Sequence, residues 1–155
     1  MNGKKPHLSH TFLLELVLSI LFFAVIAAVC VEVFVKAHLY TKQAEQLNHA
    51  ALEAASMAEL VRASDSLEEA VELVKAQYPS VELTEKSSLS AAVSTHFDKA
   101  YESSPLTEDG YTLRGDISQS GDLLSAHITY YENSTDTIVY SLTAEHHVQE
   151  VQHEE

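Results

Sequence analysis

LVLSILFFAVIAAVCV, residues 16–31, is sixteen residues without a formal charge, and it lies within a wider apolar run from Phe12 to Val35. Wound as a helix, the 24 residues of that run reach about 36 Å, enough to cross a hydrocarbon core of about 30 Å. A secretory signal offers the competing reading. Its apolar region lasts about 7 to 15 residues and ends at a small-residue cleavage site. Here the run continues through Val31, Glu32, Val33 and Phe34 with no helix breaker, so a retained single-pass anchor is expected. Lys4 and Lys5 precede the span and a strongly acidic region follows it. Positive charge is held on the cytoplasmic side, which places the N-terminus inside the cell membrane and the C-terminal portion outside.

Working outward from the span, neither proline nor glycine occurs between Pro6 and Pro79. The membrane helix can therefore continue into the segment beyond it. There Leu39, Leu47, Ala51, Ala54, Ala58 and Val61 recur at spacings of mostly three or four, with Lys42, Glu45, Glu53, Glu59 and Arg62 elsewhere. This is an amphipathic helix with an alanine-rich stripe, and Leu47, Ala51, Ala54, Ala58 and Val61 are expected to pack on a sheet. Ser64, Asp65 and Ser66 interrupt the pattern. Ser66 with Glu69 three residues on fits a capping box opening a second helix, with Leu67, Ala70, Val71 and Val74 on its apolar side and its end before Pro79. Residues 88–101 read both ways, and the spacing of Leu89, Ala92, Val93 and His96 favours a helical turn followed by a strand.

After Gly110 the period changes to two. Tyr111, Leu113, Gly115 and Ile117 alternate with polar residues, as do Leu124, Ala126, Ile128 and Tyr130, and then Ile138, Tyr140, Leu142 and Ala144. These are half-buried strands joined by short turns, Ser120-Gly121-Asp122 and Asn133-Ser134-Thr135-Asp136, so an antiparallel meander is expected. The predicted fold is α+β: a long N-terminal transmembrane helix continuing into an amphipathic helix packed on a small antiparallel sheet of three to four strands. The predicted segments are a cytoplasmic leader at 1–11, the membrane helix at 12–35, its extracytoplasmic continuation at 36–63, an α+β soluble domain at 64–148 and a polar tail at 149–155.

This order of elements resembles the type IV pilins and pseudopilins. The resemblance rests on the basic leader, the run His10-Thr11-Phe12-Leu13-Leu14-Glu15-Leu16, the long helix and the C-terminal sheet. It covers about the first 63 residues by sequence pattern and the remainder by architecture. It implies a leader junction between His10 and Thr11 for a prepilin peptidase, with His10 where the family normally has glycine, and it puts Glu15 at the fifth position of the mature chain. It also implies partners: the lipid bilayer and other pilin-like subunits bound through the N-terminal helix. Independently of family, a carboxylate at the centre of a membrane costs about 2.5 kcal/mol or more, so an acid such as Glu15 calls for a cation or marks function. The amine of a neighbouring subunit is the natural partner if the chain is cut before Thr11. Glu32 suits the interface.

Composition narrows the remaining possibilities. Residues 37–155 carry 6 Lys/Arg against 21 Asp/Glu, a net −15, which repels a phosphate backbone, so no direct nucleic-acid binding is expected. Cys30 is the single cysteine, excluding an internal disulfide and a CxxC site. His146, Glu150 and His153 would share a face if helical, but at a chain end they lack a rigid surround, and no metal or cofactor is expected. No GxSxG, HExxH, P-loop or dinucleotide turn occurs. Tyr111, Tyr130, Tyr131 and Tyr140 read as sheet packing, and the Asn133-Ser134-Thr135 sequon matters only in a eukaryotic secretory setting. The expected function is non-enzymatic: a pilin-like subunit of a surface filament, secretion or DNA-uptake assembly. The alternative is a membrane-tethered binding or sensory module that does not polymerise.

Overall fold

The computed structural model describes residues 8–148, so most of the leader and the tail at 149–155 lie outside the described residues. Helix α1 runs without interruption over Leu8–Arg62, 55 residues, as the absence of proline and glycine allows. The chain divides into two units, one reaching Ala44 and one beginning at Glu45.

In the first unit the large apolar side chains from Phe12 to Val35 are 46 to 77% exposed on all sides of the helix. One helix near the N-terminus is thus long and apolar enough to cross a membrane. Glu15 lies in its apolar part. Glu32 is paired one turn on with Lys36, Oε1 to Nζ 2.6 Å, the i,i+4 order that favours a helix.

The second unit holds the last turns of α1, a short helix and a sheet. Helix α2, Leu67–Gln77, opens on Ser66, whose Oγ accepts the Glu69 amide at 3.2 Å. The reciprocal arm of the capping box is shifted by one residue: Glu69 Oε2 accepts from the Asp65 amide, at 2.8 Å. The helix stops before Pro79, as expected. Five strands follow, β1 Glu82–Lys86, β2 Ser90–Phe97, β3 Tyr111–Ser120, β4 Leu123–Glu132 and β5 Thr137–His147. Each pairs antiparallel with the next in the order β1-β2-β3-β4-β5.

The sheet therefore has five strands in place of the three to four expected. No helical turn precedes the strand within 88–101, because Ser90–Phe97 is one strand. Its periodicity misleads because both faces are covered: Val93 and Phe97 are buried on one side, Ala92 and His96 on the other. Strand β1 is exposed along its whole length and carries no apolar pattern at all. Glu145, His146 and His147 belong to β5.

The core lies between α1, α2 and one face of the sheet. Ala54, Ala58 and Val61 are buried as the stripe predicts, together with Met57 and Ala50. Leu47 is a correction, since it is 48% exposed, and Ala51 is only half-buried. The buried ridge steps back by four from Ala58 through Ala54 to Ala50. Every four-residue step rotates the contact by about 40° around a 3.6-residue helix, turning Leu47 away and bringing His49 and Glu53 to the sheet side. Gly115 admits Met57 here, since a Cβ at 115 would stand 2.6 Å from the Met57 sulfur. Gly121 closes the two-residue β3–β4 turn with φ +64°, a conformation that favours glycine.

Candidate functional site

At one end of the core the rotated face of α1 meets three elements of the sheet layer. His49 stacks on Tyr101 with ring centroids 4.6 Å apart, and presents an edge to Phe97 at 5.2 Å and to Tyr130 at 5.8 Å. The stack continues from Tyr101 to Tyr111 at 5.5 Å and on to Tyr130 at 5.6 Å. Offset and edge-on contacts at such spacings are the favourable geometries for aromatic rings.

The polar atoms of this cluster form a line. His49 Nδ1 lies 3.2 Å from the Tyr130 hydroxyl, and Nε2 lies 3.7 Å from Glu53 Oε1. The Tyr78 hydroxyl donates to Glu53 Oε2 at 2.8 Å. Among the described residues Nδ1 is the partner of the buried Tyr130 hydroxyl, so the tautomer that satisfies that O–H has Nδ1 accepting, Tyr130 donating and the proton on Nε2. Burial sets the electrostatics. It draws the His49 pKa below 6.5, with Glu53 opposing. Burial likewise raises Tyr130 and Tyr78 above the ordinary tyrosine value and pushes Tyr111 up to about 12, so all three are neutral at physiological pH.

Tyr101 enters the cluster from a tight turn. Asp98 Oδ1 accepts the Ala100 and Glu102 amides at 2.8 and 3.0 Å, and the Tyr101 amide bonds the Asp98 carbonyl at 3.0 Å. Tyr101 itself has φ +64°, a left-handed conformation that costs a bulky residue about 1–2 kcal/mol. Its ring stacking is what the surroundings offer in return.

On the opposite face of the sheet a trough of about 360 Å³ crosses all five strands, with Glu85, Ala92, Asp116, Ser125, His127 and Glu145 among its lining. Several of its polar groups are paired. Asp116 receives Arg114 at 2.9 to 3.1 Å, Ser118 and Ser125 share a bond at 2.9 Å, and His127 meets Thr143 at 3.3 Å.

The residues singled out from the sequence fall differently. Glu15 and Thr11 lie on the exposed apolar part of α1, and His10 lies within the same helix. The stripe residues Ala54, Ala58 and Val61 lie in the core. His146 and His147 are adjacent on a strand and thus point to opposite faces, with His147 beside Asp122 at 3.6 Å. Glu150 and His153 lie outside the described residues, among which no group of three His, Cys, Asp or Glu has a metal-holding arrangement. Tyr130 is fully buried, while Tyr111, Tyr131 and Tyr140 are half-buried. Asn133 is engaged on both sides of its amide, accepting from Thr112 at 2.6 Å and donating to the Thr107 carbonyl at 2.7 Å. The sequon asparagine thus holds the loop. Sequence reasoning passed over His49 because it flanks the stripe as extrapolated in straight register; only the rotation of the contact face brings it inward.

Comparison with models of protein families, with curated proteins and with solved structures finds no match to this chain.

Proposed function

We propose that this chain is a membrane-anchored, non-enzymatic assembly subunit of pilin-like type, with its N-terminus cytoplasmic and its sheet-bearing portion extracytoplasmic. The observation that carries the reading is Glu15, an acid within the apolar part of a 55-residue helix whose last turns pack on an antiparallel sheet. An unpaired charge in hydrocarbon is poorly tolerated. A neighbouring copy whose leader has been removed between His10 and Thr11 would supply an amine to pair with it and would fix the stagger between adjacent helices. The bilayer, other pilin-like subunits and a prepilin peptidase are the partners of this reading.

Two measurements test it. The first is the N-terminal residue of the protein isolated from membranes, expected to be Thr11; an intact Met1 in the membrane-resident protein would count against processing. The second compares Glu15→Gln and Glu15→Leu with the wild type in sheared surface filaments or cross-linked complexes, relative to the amount in the membrane. Both variants should insert normally and fall at least tenfold in the assembled fraction, since the loss is of charge and not of volume. Equal recovery of all three would leave the alternative, a tethered binding module that does not polymerise, for which the 360 Å³ trough on the outer sheet face offers a surface.

A further inference from the structure

The turn that carries Tyr101 meets α1 at the ring of His49. His49 stacks on Tyr101 at 4.6 Å and receives a bond from the Tyr130 hydroxyl at 3.2 Å. We propose that His49 is a proton-operated latch: as neutral imidazole it holds the Asp98–Glu102 turn against helix α1, and on protonation it lets that turn go. The inference is independent of the filament reading.

The direction follows from the bonding. Tyr130 is completely buried, and among the described residues its hydroxyl has His49 Nδ1 as its hydrogen-bond partner. Protonation converts Nδ1 from acceptor to donor. The Tyr130 oxygen can take that new bond only by turning its own O–H away, and among the described residues that hydroxyl has no second hydrogen-bond partner. A buried donor left without an acceptor bears its full desolvation penalty. Nε2 gains little in exchange. It carries a proton in both states, it stands at 3.7 Å from Glu53, beyond a good hydrogen bond, and Glu53 is already bonded by Tyr78.

The other groups facing the ring act in both directions. Glu53 on α1 favours the cation, as does the face of Tyr101 through cation–π attraction, and Glu45 and Glu132 add distant negative charge through the tyrosine stack. Tyr111 and Tyr78 are neutral in the relevant range. Burial opposes the cation more strongly than Glu53 favours it, consistent with the lowered affinity of His49 for a proton. The turn is the element placed to yield, because Tyr101 holds a left-handed backbone that relaxes once its stacking partner leaves.

The test is hydrogen exchange on the full chain in detergent, following the amides of Tyr101 and Glu102, which bond within the turn, corrected for the intrinsic pH dependence. Between pH 7.5 and 5.5 their protection should fall at least fivefold, whereas that of the β3–β4 amides should hold. Two variants separate the latch from a structural role. In His49→Asn the protection should be low at both pH values, with the pH dependence gone. In Tyr130→Phe no donor is orphaned, so protection should fall less than twofold over the same range and the His49 titration, read by its ring proton shifts, should move up. Unchanged wild-type protection would overturn the proposal. So would a full pH effect surviving in His49→Asn, which would assign it to His96, buried nearby on the opposite face of β2 and bonded to Thr112 at 2.9 Å. Should His49→Asn fail to fold, the wild-type and Tyr130→Phe titrations still decide.

Discussion

Ala54 and Glu53 are neighbours with opposite fates. Ala54 is fully buried, so Ala54→Glu forces a carboxylate into the core and should cost about 3 kcal/mol or more. Glu53→Ala removes the acceptor of the Tyr78 hydroxyl and should cost about 1 kcal/mol. Urea titration of both variants gives the comparison, and the reverse order would refute this placement of α1. Gly115 offers a second test: Gly115→Val presses on Met57 and on Val93, which already lies 3.3 Å from an added Cβ, and overpacking of this kind costs about 1–3 kcal/mol. At this scale the sequence was legible where a residue's own chemistry decides, as with Ser66 at its cap. It was opaque at His49, whose role depends on four rings from distant parts of the chain.

At the scale of elements, β5 shows why alternation is reliable only until a bulge. Tyr140 pairs with Tyr130 but Ile138 pairs with Tyr131, leaving Val139 as the extra residue. A bulge reverses which side chains face the core beyond it. Val139 therefore packs against the core and Ile138 is 62% exposed, against the alternation that placed Ile138 with Tyr140, Leu142 and Ala144. Ile138→Lys should change stability by no more than about 0.5 kcal/mol, while Ala144→Lys at a fully buried position should cost about 3 kcal/mol or more. Loss of stability in the first variant comparable to the second would contradict the bulge. The helices were readable because breakers and caps are local. Strand β1, short and exposed, has only its pairing with β2 to define it, and no single-strand pattern announces that.

For the molecule as a whole, His49 and His96 both bind protons less readily than free imidazole, chiefly through burial. The unfolded chain then takes up protons from about pH 6.5 downward that the folded chain declines. Their contribution to stability is complete above pH 6.5 and is lost as pH falls below it. The melting temperature should drop between pH 7.5 and 5.5, and the drop should shrink when both histidines are replaced by Asn. Chelator should leave that melting temperature unchanged, and a clear fall would point to metal held by the histidine-rich end. The membrane-competent helix and the α+β class were legible because hydrophobic length and period are properties of the chain itself. The number of strands and the aromatic cluster were not, since both arise from pairing and packing across the sheet.

The strand order has a kinetic consequence. Each strand pairs with its immediate successor, so the longest connection the sheet closes is residues 98–110 between β2 and β3, and a low contact order goes with rapid folding. It can add one hairpin after another in the order of synthesis, starting at β1, without waiting for the C-terminal end. The slow event is then the seating of the last turns of α1 on the finished face, which requires Met57 to find Gly115 and His49 to find Tyr130 across 81 residues of chain.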